Sequence, residues 1–229
     1  MQRNRKLFPE KGNISVAENV VLTVVRLLLG CVFIFSGFVK AVDPLGTAYK
    51  FQEYFAAFGD SFTHFNFLAL PFAIVLIAGE FVVGVNLIFK IYVRTTSFLA
   101  LLFMLVMTGL TLWIYIMNPV TDCGCFGDAL VISNSATFWK NVVLLAFAIY
   151  LFIRSVKIRP LFMPVAQIVT ELVFIAAILG FMVWNLSHLP VIDFRPYKIG
   201  VNIEQEMQIP QEAPADVYDI KFIYSKDGV

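Results

Sequence analysis

Five stretches of this chain stay apolar long enough to cross a lipid bilayer, and most polar positions fall between them. Val20–Val39 is broken only by Thr23, Arg26, Ser36 and a few small residues. Leu68–Phe89 and Phe98–Met117 follow. At about 1.5 Å of rise per residue, each covers a hydrocarbon layer of about 30 Å. The pattern predicts a fourth helix from Ser133–Ser135, which offer N-cap oxygens, through Ile153. Lys140 near its start has a stem long enough to snorkel to the interface. A fifth helix is predicted from Pro164, a favoured first-turn residue, to Leu186.

The expected fold is therefore an all-α membrane protein: a four-helix transmembrane core, a fifth transmembrane helix and a short extracytoplasmic tail. In residue ranges this gives an N-terminal segment 1–19, the core 20–154, the fifth helix 155–188 and a tail 189–229. Arg3, Arg5, Lys6 and Lys11 precede the first span, Lys90 and Arg94 join the second to the third, and Arg154, Lys157 and Arg159 join the fourth to the fifth. The positive-inside rule makes that side cytoplasmic, with the N-terminus inside and the tail outside. The opposite side holds Lys50, with Lys40 and Lys140 at helix ends.

Two connecting segments have character of their own. Pro44–Phe67 is rich in aromatic residues, and Leu45, Tyr49, Phe55 and Phe58 recur at roughly helical spacing. This predicts a short helix on the outer interface, with a plain lid over the bundle as the alternative. In the tail, Asp216–Tyr224 alternates partly and Asp227-Gly228 is a hairpin turn signal with no returning strand. The expectation is a truncated domain, or a strand supplied by a partner.

Composition agrees with the pattern. Hydrophobic residues make up 59% and charged residues 14% of 229, against about 25% charged in soluble domains. Too few polar side chains exist to cover a soluble core. A net charge of +1 and no basic run give no footprint for nucleic acid. The first apolar run is too long for a signal peptide and lacks a small-residue cleavage pattern, so it reads as a retained helix in contact with membrane lipid.

Candidate chemistry concentrates in the loop Thr121-Asp122-Cys123-Gly124-Cys125-Phe126-Gly127-Asp128. Two cysteines two positions apart bond only if the backbone brings their Cα atoms to about 4.4–6.8 Å. Gly124 supplies the needed freedom. So small a ring restrains the unfolded chain little, which favours exchange chemistry over a structural bridge. Inert small residues in a turn, and a metal site, are the other readings. The metal set would be Cys123 and Cys125 with His64 and His188, two thiolates and two imidazoles suited to zinc or copper(I). Asp122 and Asp128 flank the pair and would raise a thiol pKa; Lys40 or Lys140 would compensate. Cys31, mid-span, reads as a small packing residue.

Charges inside spans form the second constellation. By helical rise Arg26 lies about 9 Å, and Glu80 about 14 Å, from the inner helix ends, with Glu171 at a comparable level. Such groups are expensive in hydrocarbon. An Arg26–Glu80 pair joined by Glu171 is expected, either to fix register or to serve a proton or quinone headgroup. Gly30, Ser36, Gly37, Gly79 and Gly84 permit close helix contact.

Arg26-Leu-Leu-Leu-Gly30, Phe35-Ser36-Gly37-Phe38-Val39-Lys40 and Asp43-Pro44-Leu45-Gly46 together resemble the opening helix of the DoxX family of small membrane proteins. Cys123-Gly-Cys-Phe-Gly127 resembles the loop of the related MauE proteins of methylamine utilisation, and the likeness covers about residues 20–154. The resemblance implies a redox-associated protein of a bacterial inner membrane. Its kin are linked with quinone-coupled sulfur oxidation and with maturation of a disulfide-rich periplasmic dehydrogenase. Cys123 and Cys125 would be the redox pair, with Arg26, Lys40 and Asp43 as family-pattern residues. An extracytoplasmic thioredoxin-like or cysteine-containing protein would be the partner, and longer kin continue into such a domain. A metal-binding or transport protein and a non-catalytic scaffold subunit are the competing classes.

Overall fold

In a computed structural model, residues 15–120, 122–190, 192–194, 198 and 200–202 are described. The chain forms two compact units that divide at Phe194/Arg195. Of the second, the described residues make a turn in which the Val201 amide donates to the Lys198 carbonyl. The predicted tail strand, Asp216–Tyr224, lies outside the described residues.

The first unit is helical: α1 Val16–Val42, α2 Pro44–Phe58, α3 Ala69–Phe89, α4 Val93–Met117, α5 Asn134–Arg154 and α6 Pro164–Ser187. No strand occurs among the described residues, and five of these helices are long and apolar enough to cross a membrane. The protein is an all-α membrane protein, and each predicted span is found within a few residues of its expected ends. Ser133 caps α5 by accepting from the Ala136 amide at 3.3 Å, and Pro164 opens α6. The aromatic segment is two pieces, α2 and a 3₁₀ stretch over Asp60–Leu68, broken at Gly59. Asp43 caps α2 through the Gly46 amide at 2.9 Å.

α1 is the central helix. Leu22, Leu29 and Phe33 form its buried stripe with Val83 and Leu87 of α3, Met104 of α4 and Ala148 of α5. Arg26, Ser36 and Lys40 continue the same stripe at three- and four-residue spacing, so they are buried too. On the opposite face Val20, Val24, Leu28 and Phe35 are exposed, as a lipid-facing surface requires. Cys31 belongs to that exposed face. It faces away from the buried stripe, because 100° per residue carries it round the helix.

α1 and α3 cross almost backbone to backbone. A Cβ on Gly84 would lie 2.7 Å from the Ile34 nitrogen, and one on Gly37 2.8 Å from the Phe81 nitrogen. Gly30 sits in the same seam. Without a hydrophobic drive between helices in lipid, such close approach supplies the dispersion contact. Gly79 has nothing within 4 Å of its would-be Cβ, so it is not part of this crossing.

Arg26 does not pair with Glu80. Its guanidinium donates to the carbonyls of Leu87 and Ile88, the latter at 2.8 Å. These are carbonyls of the last turn of α3, which lack partners within the helix. Glu171 accepts from Asn86 at 3.1 Å. The three charges expected to form one group thus serve three separate places.

At the basic end, Arg154 and Lys157 both reach Glu18, at 3.3 and 3.1 Å. At the other end Asn185 of α6 donates to the Ala41 carbonyl of α1 at 3.1 Å.

Candidate functional site: the Cys-Gly-Cys loop and the ion pair beside it

The loop between α4 and α5 lies at the same end of the bundle as α2, and both helices' neighbours shape it. Gly124 has φ of +63°, a left-handed conformation that L side chains resist. With that residue as hinge, the Cys123 and Cys125 sulfurs converge to 2.8 Å as thiols. They need to close by less than 1 Å to reach a bond length of about 2.05 Å. The Gly127 amide donates to the Gly124 carbonyl at 3.1 Å and completes the turn.

Side chains from α1 and α2 hold each cysteine by its backbone. The Tyr54 hydroxyl donates to the Cys123 carbonyl at 2.6 Å. The Ser36 hydroxyl donates to the Cys125 carbonyl, also at 2.6 Å. Burial, with the nearby thiols, pushes the Tyr54 hydroxyl pKa far up, so it stays a donor. Lys50 bridges Glu53 and Asp122, both at 2.9 Å, and its stem crosses Gly124. Asp122 also accepts from the Gly124 amide at 3.0 Å. Asp122 is thus committed to Lys50 and the turn, and its effect on the thiols is damped; the Asp128 side chain lies outside the described residues.

Both cysteines are buried, 6% and 8% exposed, in a cluster with Tyr54, Ile114 and Val120. Within the pair the two thiols diverge. The hydrogen bond from Cys123 holds the Cys125 pKa down to about 7, against its own burial and with help from Lys140 and Lys40. The same bond, then burial, push Cys123 up.

Beside Cys125 lies a cavity of about 20 Å³, which is room for about one water molecule. Ser36, Lys40, Glu80, Lys140 and Asn141 line it together with Cys125. Lys40 and Glu80 form a buried ion pair at 2.7 Å, their side chains 3% and 6% exposed. Lys40 also donates to Ser36 at 2.9 Å. Lys140 does not snorkel outward: it is half-buried, with its ammonium 3.9 Å above the Phe126 ring centre. Asn141 donates to Thr111 of α4 at 3.2 Å and fixes the α5 side of the cavity.

Of the residues expected to act, the structure brings together Cys123, Cys125, Lys40, Glu80 and Lys140, and leaves Arg26 and Glu171 elsewhere. The metal set does not assemble. His64 is exposed in the 3₁₀ stretch, and His188 stacks on Trp184 at 4.2 Å. Among the described residues no group of three or more His, Cys, Asp or Glu could hold a metal ion. Tyr54 is not among the residues expected to act, and Ser36 is expected only to let helices approach. The signal was present in two i,i+4 pairs, Ser36/Lys40 and Lys50/Tyr54, each placing two polar groups on one helix face.

No curated protein and no solved structure matches the chain. Residues 18–154, from α1 through α5, match the family described as methylamine utilisation protein MauE. That is more than half of the 229 residues, and the chain belongs to the MauE family.

Proposed function

We propose that this protein is a membrane thiol–disulfide redox carrier in which Cys123 and Cys125 take electron pairs from, or give them to, a cysteine-containing protein outside the cytoplasm. The observation that carries the reading is the convergence of two sulfurs to 2.8 Å across a left-handed glycine. A loop serving only as a tight turn has no need to aim both thiols at one point. The loop end faces away from the cytoplasm, as the positive-inside rule has it, in a bacterial inner membrane.

A lipid-soluble quinone is the other electron carrier in this reading. An almost wholly apolar cleft of about 330 Å³ lies between α3 and α4 and reaches Glu80. Glu80, Phe103 and Met107 line both this cleft and the cavity beside Cys125. Two protons accompany two electrons to a quinone, and polar groups at that junction suit their transfer. The family description, methylamine utilisation, names one setting in which such a carrier would serve.

Thiol trapping of Cys123 and Cys125 in native membranes tests the proposal. The pair is expected to switch between dithiol and disulfide as a dithiol reductant and a soluble quinone analogue are alternated. A pair fixed in one state under both conditions overturns it.

Because both sulfurs are buried, a protein partner reaches them only after α2 or the loop moves. Lys50→Gln removes the Asp122 bridge, a partly exposed contact of about 0.5–1 kcal/mol. Iodoacetamide labelling of the pair is then expected to quicken about two- to five-fold, read by mass spectrometry. An unchanged rate would mean that α2 does not gate access.

A further inference from the structure

We propose that Cys125 is the attacking sulfur of the pair and that Lys140, with Lys40 behind it, is the positioning residue that holds it as a thiolate. The inference rests on the thiol–disulfide reading and adds which sulfur reacts and what makes it react.

The two cysteines differ in what they face. Cys125 lines the cavity that contains Lys40, Glu80 and Lys140, whereas Cys123 is not part of that lining. Within the cavity Glu80 is matched to Lys40 by their contact at 2.7 Å. This leaves the Lys140 cation, and among the described side chains no carboxylate pairs with it. Its contact is the Phe126 ring, and an aromatic face stabilises a cation by only about 0.5–2 kcal/mol. A half-buried ammonium in low dielectric favours an anion nearby. The acid that lines the same cavity and can become that anion is the Cys125 thiol. With Cys125 ionised, the Cys123 S–H is the donor in the 2.8 Å sulfur contact.

Among the described side chains, the titratable groups around Cys125 come from its own loop and from four helices. Its own loop presents Cys123, and Asp122 already bridged to Lys50. α1 presents Lys40, α2 Tyr54 as a neutral donor, α3 Glu80 and α5 Lys140. α4 presents only Phe103, Met104 and Met107 to the cavity. The direction of the Cys125 shift, downward to about 7, agrees with this arrangement.

The step follows. The Cys125 thiolate attacks one sulfur of a partner disulfide, forming a mixed disulfide and expelling one partner thiolate. That thiolate takes the Cys123 proton. Cys123 then attacks the Cys125 sulfur, the internal disulfide forms, and the second partner sulfur leaves as thiolate. Two electrons have passed to the partner, one proton has moved, and the reverse sequence reduces the pair. Oxidation also removes the negative charge beside Lys140, so the cavity becomes more positive in the disulfide state.

Alkylation by iodoacetamide against pH tests the assignment, with Cys31→Ser and Cys123→Ser combined so that only Cys125 reacts. With the Cys123 S–H donor gone, the expected midpoint is higher than in the parent pair, yet still below that of an ordinary free thiol. Lys140→Gln raises it by at least one pH unit, about a tenfold loss of thiolate at pH values well below the midpoint, and Lys140→Arg restores it. In the companion chain with Cys31→Ser and Cys125→Ser, Cys123 titrates well above Cys125. Opening of the loop scales the rates but not the midpoints, so access does not confuse the readout. An unmoved midpoint in Lys140→Gln, or a Cys123 midpoint below that of Cys125, overturns the proposal. Should Lys140→Gln fail to fold, the comparison of the two cysteines with Lys140 intact still decides which sulfur attacks. Failure of the trapping test with these midpoints as expected would sink the redox reading and leave the charge assignment standing.

Discussion

Lys40→Met is expected to destabilise the bundle by about 3–5 kcal/mol, because it strands Glu80 as an unpaired buried carboxylate. Lys40 and Glu80 sit 2.7 Å apart with almost no exposure, and Ser36 is the further partner of the lysine. In such a place the desolvation cost of each ion is already large, and the partner's charge offsets it. Removing one ion leaves the cost of the other. Glu80→Leu alone is expected to act similarly by stranding Lys40. The double change Lys40→Met with Glu80→Leu is expected to recover most of the loss, since two apolar side chains impose no desolvation. Helix content followed through thermal unfolding in detergent micelles measures all three. A single variant as stable as the parent would show that the pair is neutralised or hydrated rather than buried as an ion pair.

Arg26→Leu comes next in size, at about 2–4 kcal/mol. The Leu87 and Ile88 carbonyls both accept from this guanidinium at the end of α3. Each buried carbonyl left without a donor costs about 1–3 kcal/mol, and the positive charge also opposes the negative end of the α3 dipole. Arg26→Lys keeps the charge but offers a compact, more strongly hydrated ammonium in place of the guanidinium nitrogen that donates to both carbonyls, so partial recovery is expected. The same unfolding measurement applies. Equal stability of Arg26→Leu and parent would mean that other donors satisfy the end of α3.

The spans were legible because crossing a membrane is a one-dimensional requirement: about 20 apolar residues in a row. Pro164 and Ser133 marked helix starts for the same local reason. The loop was legible as chemistry because Cys123-Gly124-Cys125 carries its hinge between its two sulfurs. Partner choice among buried charges was not. Counting residues gives depth along a helix, and depth put Arg26, Glu80 and Glu171 in reach of one another. The angle around the axis decides who meets whom, and that angle depends on how the helices pack. By residue counting Lys40 falls at a helix end, yet α1 continues to Val42. Lysine in a helix also points back toward the N-terminus, which carries its ammonium to Ser36 and Glu80. Reading α1 as one stripe, Arg26, Leu29, Phe33, Ser36 and Lys40, would have turned Lys40 inward and Cys31 outward from sequence alone.

The seam at Gly30, Gly37 and Gly84 bears on how the protein can breathe. Two helices locked spine to spine behave as a single strut, and the Lys40–Glu80 bond is one more rivet along it. Any breathing that uncovers the sulfurs therefore falls to the roof, where α2 is tethered by Tyr54 and Lys50. A stiff pillar beneath a hinged cover lets the thiols meet a visitor while the charges below keep their places.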